Sequence, residues 1–469
     1  MTDRMQLLVI ANLRGNAEPL DPAKLRRPIE LNVDNFDQVM TRLNVTWSSA
    51  DLGSATFQSV HDFHPDRLFS KMDSFAQLRH WNEELADHDQ CDAAIQEIVN
   101  FQQAAGLTAS SEQDEQQETP TATSSSDESV PISSDNLLDQ MLDQAGDDST
   151  SPRHSSDAAR LLHDLMSDLD IQRIDPRLDD CRAVIAQLSG QMMRKILGDK
   201  CFRELEAAWR GLWQLVSATA SLDVQVFLLP LTAEGLSEDL DDKEDLSKSI
   251  LYDCLITQAA GMQGGFRWSA ATVLHQFDPD LAVDRDKLKG LASIAAASRV
   301  LTFVGISGDD EYWLDGDAAE WRELKEQMDC TSIAPVWPAY LIRRPYGAKT
   351  RSSESFEFEE MLAPSTDQLL WGFASVVPLL ALASGFSIDG WDLDPNALQQ
   401  IDGFPMYSYE LDGDIEIQPS GRYEMSDRQA RRLIEMGLTP LISVRDSDRV
   451  IVPGFRSASG KVAALNEFS

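Results

Sequence analysis

His61 and His64 stand as His-x-x-His, a spacing that can bring two imidazoles to one metal ion. No third His or carboxylate follows at a supporting distance along the chain, so both are expected as surface residues. Gly347-Ala348-Lys349-Thr350 has the residue types of a phosphate loop, but not the Gly-x-x-x-x-Gly-Lys run that aligns backbone N–H groups on a phosphate. Gly261-Met262-Gln263-Gly264-Gly265 lacks the preceding strand and glycine spacing of a dinucleotide site. The sequence has no Gly-x-Ser-x-Gly elbow, and no cysteine stands with an evident His partner. These residues specify no catalytic group, no metal and no cofactor, so the chain reads as a protein that is not an enzyme.

Charge and cysteine usage narrow the class further. The net charge is −38 over 469 residues, a field that repels nucleic acid and anionic lipid. Seventeen acids and no Lys or Arg lie between Arg79 and Arg153. Overlapping that span, 107–157 is an acidic, Ser-rich tract with too little apolar surface to offset chain entropy, and it reads as a disordered linker. Cys91, Cys181, Cys201, Cys254 and Cys330 are odd in number and form no Cys-x-x-Cys, which suits free thiols in a reducing compartment. No signal peptide precedes Leu7-Leu8-Val9-Ile10, and the longest apolar run, Phe373 to Phe386, reads as a buried helix. A cytoplasmic protein is expected.

The elements on either side of the tract mix strand and helix. Residues 6–13 read as a buried strand, Asp34-Asn35-Phe36-Asp37 as a cap before an amphipathic turn, and 55–60 as a second strand. Asp62 to Asp66 starts a helix carrying Leu68, Met72, Phe75 and Leu78. Beyond the tract, Val184, Ile185, Leu188, Met192 and Ile196 form one stripe, and Phe202, Leu205, Trp209 and Leu212 another. Val224, Val226 and Leu228 lie in a strand covered on both faces, and 300–304 is a core strand. Helices are expected around Leu369–Leu382 and near Asp427–Met436, with Trp209, Trp213 and Trp371 in the core and Asp412-Gly413-Asp414 as a hairpin turn. The fold class is α+β, with mixed α/β layers.

Three stretches in order resemble the small subunit (TssB) of the type VI secretion contractile sheath: Gln6 to Gly15, Asn32 to Met40, and Phe57 to Asp66. The second part is similar to the large subunit (TssC). It carries Trp209-Arg210-Gly211-Leu212, Trp321-Arg322, Arg343-Arg344-Pro345-Tyr346-Gly347, Phe356-Glu357-Phe358-Glu359-Glu360 and Trp371-Gly372 in family order. The resemblance implies a sheath-protomer-like body made of two fused segments, 1–106 small-subunit-like and 158–469 large-subunit-like, with 107–157 between them. Trp209, Arg210, Gly211, Trp321, Arg343, Pro345, Tyr346, Gly347, Trp371 and Gly372 are then packing residues. Arg343 and Arg344 are expected to pair within the molecule.

Departures from the family pattern matter as well. Ala339 stands where the family usually has Arg, and Phe373 where it usually has Asn. The amino-terminal strand and the closing strands that interlace neighbouring sheath protomers have no counterpart here, so a capping, terminating or regulatory role is expected. A fused subunit that polymerises is the alternative, and an enzyme on a sheath-like fold a remote one. Leu137, Leu138, Met141 and Leu142 make an apolar island in the acidic tract, with three of them at i, i+3, i+4. The island resembles the large subunit's amino-terminal helix, which implies a ClpV-like AAA+ ATPase as a partner. Other expected partners are sheath subunits, baseplate or cap proteins, but neither nucleic acid nor membrane.

Overall fold

Every residue of the strand Met5–Ala11 (β1) except Gln6 is buried. A strand this apolar must be covered on both faces, as in a parallel sheet. The computed structural model describes residues 4–15, 27–87, 90–104, 176–240, 246–261, 267–411 and 413–461. It divides into two units, Met1–His80 with Ile185–Ser469, and Trp81–Val184.

In the first unit the small-subunit-like segment adds Ile29–Leu31 (β2), Phe36–Leu43 (α1), Val45–Ser49 (β3), Gly53–Phe57 (β4) and Pro65–Lys71 (α2). Asn44 at φ 52° closes α1 in the left-handed conformation, a position that Asn tolerates. Pro65 opens α2 as its first residue, where a missing N–H costs nothing. The second part supplies Pro176–Gly198 (α3), Lys200–Thr219 (α4), Val224–Pro230 (β5), Ala270–Phe277 (β6), Ala282–Ser298 (α5), Leu301–Ile306 (β7), Ala319–Gln327 (α6) and Ile333–Trp337 (β8). It continues with Val376–Asp389 (α7), Tyr407–Leu411 (β9), Asp414–Gln418 (β10), Asp427–Glu435 (α8) and Thr439–Pro440 (β11).

Seven strands form the main sheet in the order β11-β8-β7-β6-β1-β5-β2. All pairings are parallel except the edge pair β2–β5. Val9 of β1 faces Leu228 of β5 on one side and Thr272 of β6 on the other. The chain thus leaves β1 first to one side and then to the other, which is the switch of a doubly wound sheet. The small-subunit-like segment therefore supplies the strand at the switch.

Both faces of the sheet are covered. Leu8, Ile10, Phe227, Leu229, Val273 and Val304 pack with Leu288 and Leu291 of α5, Trp321 of α6 and Leu433 of α8. On the opposite face α4 and α7 pack together, and α7 reaches β1 and β6. Ser375, just before α7, is tied to β6: its carbonyl accepts from Thr272 Oγ1 and its Oγ donates to the Val273 carbonyl, 3.2 Å each.

The mixed layers agree with the expected fold class, and three local expectations need correction. The helix expected around Leu369–Leu382 starts only at Val376, because Trp371–Gly372 pairs antiparallel with Tyr340–Leu341. On α3 the buried positions within this unit are Ile185, Ser189, Gly190, Met193, Ile196 and Leu197, so Leu188 and Met192 are only half-buried flanks. The apolar run from Leu68 to Leu78 is broken at Met72, whose extended backbone separates α2 from the helix Ala76–Ala86.

In the second unit Trp81 donates its Nε1–H to Glu97 Oε2 at 3.2 Å and meets Phe101 edge-on at 5.4 Å. Leu85, Ile95, Ile98 and Cys181 are buried there. Leu137, Leu138, Met141 and Leu142 lie outside the described residues. Among the described residues, no helix is long and apolar enough to cross a membrane.

Candidate functional site

Several of the residues singled out in sequence converge on α4, while Trp321 packs on the other face of the sheet. Asp199 caps this helix by accepting the Phe202 N–H at 2.9 Å, and the same oxygen accepts Trp47 Nε1–H from β3 at 2.7 Å. Phe202 sits among Trp47, Phe57 and Phe63 with centroids 5.6, 6.0 and 5.7 Å away. Two turns further, Trp209 donates to the Leu13 carbonyl at 3.1 Å and meets Phe36 at 5.4 Å. One face of α4 is therefore dressed by the small-subunit-like segment, and edge-to-face aromatic pairs add to the area buried.

Below this aromatic layer lies a buried ion cluster. Glu206 is fully buried and accepts Arg210 Nε–H at 2.7 Å, Arg343 Nε–H at 2.8 Å and Arg343 Nη2–H at 3.1 Å. Arg343 turns its other edge to Glu360, at 2.7 and 3.0 Å, and Glu360 also accepts the Tyr346 N–H at 2.8 Å. Arg210 donates to Tyr346 Oη at 2.9 Å, and the Arg343 guanidinium lies 4.2 Å from the Tyr346 ring centroid. Burial pushes the Glu206 carboxyl up, but Arg343 and Arg210 outweigh it and hold it below the ordinary range. For Arg343, burial works against the charge while Glu206 and Glu360 raise its pKa further still.

The small-subunit-like segment reaches this cluster through the start of α2. His64 meets Tyr346 edge-on at 5.0 Å, and its Nδ1 accepts the Asp66 N–H at 3.3 Å as the cap of α2. Burial, then Arg351, holds the His64 pKa below its ordinary value. Asp66 accepts Ser353 Oγ–H at 2.5 Å and the N–H groups of Glu354 and Ser355 at 3.1 and 3.0 Å. Both histidines were expected at the surface; His61 is exposed, whereas His64 is half-buried because it caps a helix against Tyr346.

The remaining family-motif residues pack as follows. A Cβ on Gly372 would sit 2.8 Å from Tyr340 Cζ, so this glycine allows the close approach of Tyr340, whereas one on Gly211 would make ordinary contact at 3.5 Å with Tyr340 Oη and Val376 Cγ2. A Cβ on Gly347 would collide with the Glu359 carboxylate. Pro345 accepts Thr350 Oγ1–H at 2.5 Å, and Trp321 donates to the Met436 carbonyl at 3.0 Å. Trp371 was expected in the core but is half-exposed, donating to the Thr366 carbonyl at 2.9 Å. Arg343 pairs inside the molecule as expected; Arg344 is exposed.

A crevice of 1260 Å³ opens at the carboxyl ends of β1 and β6, where doubly wound sheets hold ligands. Its wall includes Asn12, Arg203, Glu204, His275, Asp284 and Arg422. These groups are largely engaged with protein: Arg203 donates to the Gln368 and Leu369 carbonyls, and Arg422 pairs with Asp367 at 2.8 Å. Asp284 takes His275 Nε2 at 3.3 Å and Lys287 Nζ at 3.2 Å; burial would raise its pKa, but these bonds bring it down to about 2. Ala339 and Phe373, the two departures noted in sequence, both line this crevice. Among the described residues no cluster of three His, Cys, Asp or Glu side chains is arranged to hold a metal ion.

The arrangement is a packing joint between two segments. The profile of the family described as EvpB/VC_A0108, tail sheath N-terminal domain (VipB), matches residues 180–307 and 310–459, more than half of the sequence. This chain belongs to the type VI secretion tail-sheath family. The small-subunit family, described as Type VI secretion system, VipA, VC_A0107 or Hcp2, matches residues 4–105. A similar curated protein is the "Type VI secretion system sheath protein TssC1" of Pseudomonas aeruginosa, 25% identical over 298 residues. That match covers 59% of this chain and 60% of the relative, so the chain spans less than two thirds of the relative's length. TssB-like and TssC-like segments are thus fused in one sheath-related structural polypeptide.

Proposed function

We propose that this chain is a cytoplasmic, non-enzymatic protomer body of a type VI secretion apparatus, one that caps, terminates or regulates sheath rather than forming a tube by itself. The observation that supports it best is β1 of the TssB-like segment lying between β5 and β6 of the TssC-like segment, which makes the fused chain a self-sufficient body. Among the described residues both edges of its main sheet are blunt. β2 has three residues, and β11 has two and ends in Pro440, so neither offers a long template for an added strand. A net charge of −38 also opposes packing of identical copies. Its partners on this reading are sheath subunits, baseplate or cap proteins. Electron microscopy of the purified chain at micromolar concentration is expected to show single particles, and, when mixed with TssB and TssC subunits, particles bound to sheath. Long ordered tubes from the chain alone would instead establish a polymerising fused subunit.

The apolar island Leu137, Leu138, Met141 and Leu142 is the proposed contact for a ClpV-like AAA+ ATPase. Entry into a partner's groove would strip water from any charge placed on that stripe. A peptide spanning 130–152 is expected to bind the ATPase's amino domain, with Leu138→Asp weakening it about tenfold or more. Equal affinity of the two peptides in a fluorescence anisotropy titration would remove the island as the recognised element.

A further inference from the structure

We propose that the outer edge of β10 is a docking site for an extended segment of a different polypeptide, one in which Lys or Arg alternates with β-branched apolar residues. The inference goes beyond the sheath reading, since it rests on the hairpin alone. Among the described residues β9 and β10 pair only with each other, in register Tyr407↔Gln418 to Leu411↔Asp414, with Gly413 at φ 88° in the turn. A two-stranded hairpin is marginal in water unless one face is covered. Here one face is half-covered: Tyr407 and Tyr409 stack at 5.6 Å, and Gln418 is buried with its Nε2–H on the Gly421 carbonyl. The other face carries Ile415, 79% exposed, and Ile417, 42% exposed.

The pattern along β10 identifies the occupant. Its side chains alternate Asp414, Ile415, Glu416, Ile417, so acids lie on the tyrosine side and isoleucines on the open side. A strand added along this edge would meet an acid and an apolar residue in turn, which fits a basic and β-branched residue in alternation. The surrounding sequence does not neutralise these acids. From Ser352 to Gly421 there is no Lys or Arg and there are thirteen acids. Among the described residues neither Asp414 nor Glu416 has an ion-pair partner. Two copies of the hairpin edge to edge would set like charges against each other, so the acids that favour a basic strand also disfavour a second copy.

The test uses the full chain and a labelled peptide of alternating Lys and Val, with a block peptide of the same composition and an alternating Glu/Val peptide as comparisons. The Lys/Val peptide is expected to bind, to weaken at least about tenfold when salt rises from about 50 to 500 mM, and to slow amide exchange at 414–418. Ile415→Asp with Ile417→Asp is expected to weaken it at least about tenfold, without a change in melting temperature, since both side chains are exposed. Asp414→Lys with Glu416→Lys should switch preference to the Glu/Val peptide. Equal binding of the block peptide, unchanged exchange at 414–418, or no switch on charge reversal would overturn the proposal. So would a concentration-dependent dimer that Ile415→Asp abolishes, because the occupant would then be a second copy.

Discussion

Glu206→Ala is expected to lower the free energy of unfolding by about 3–5 kcal/mol, since it leaves two arginines facing an empty buried site. Arg343 is 7% exposed and would keep only Glu360 as a carboxylate partner, while Arg210 would lose its only ion pair among the described residues. Glu357→Ala, on an exposed side chain of the same motif, should stay within about 0.5 kcal/mol of the parent. Chemical denaturation followed by tryptophan fluorescence separates the two. A loss under about 1 kcal/mol for Glu206→Ala would mean that water reaches the cluster and supports the unpaired charges.

The same cluster fixes the sign of the pH response. A carboxylate held below its unfolded pKa contributes stability above that pKa and loses it as pH falls through the folded value. Glu206 and Asp66 are of this kind, as is Asp284 at about 2 against 3.8. His64 is depressed below 6.5, so it folds neutral, and its contribution is complete above 6.5 and falls as pH drops toward the folded value. All four terms weaken the fold in acid. The parent should therefore lose stability on acidification, first through His64 and then through the carboxylates, and Glu206→Ala should show a shallower acid limb.

Much of this architecture was legible in the chain. The Leu7 to Ile10 run reads as a buried strand, and Phe202, Leu205, Trp209 and Leu212 fall on one helical face, all of them buried. What the residues could not convey was neighbourhood. Glu206 and Arg210 are four apart on a helix and could have been paired from sequence, but Arg343 and Glu360 join them from a loop more than a hundred residues away. Nor does local pattern state that β1 pairs with strands beyond position 220. Trp371 was misplaced for a similar reason: a Trp in an apolar run looks like core, whereas a two-residue bridge to Tyr340–Leu341 holds this one at the crevice rim. His64 shows the reverse error, since a polar residue beside a helix start looks exposed until its ring is found against Tyr346.

Cutting the chain once between 107 and 135, at an inserted protease site, is expected to leave the two pieces together on a sizing column with the unfolding midpoint little changed. The small piece carries β1, whose Leu7, Leu8, Val9 and Ile10 are each no more than 1% exposed, and β1 supplies backbone hydrogen bonds to strands on both sides. Removing a central strand would open two sheet edges and expose apolar surface on both faces at once, which no rearrangement of the large piece could repair cheaply. The contacts of Trp47, Phe57 and Phe63 with Phe202, and of Leu13 with Trp209, would be lost with it. After the cut, the connection no longer supplies a high effective concentration, so any dissociation would become visible on dilution. The large piece made alone should lack a cooperative transition and aggregate, and co-expression with the small piece should restore one. If instead the cut pieces elute separately and the large piece melts cooperatively by itself, β1 is a dispensable strand, and the joint on α4 is a contact between two independent domains rather than the core of one protomer.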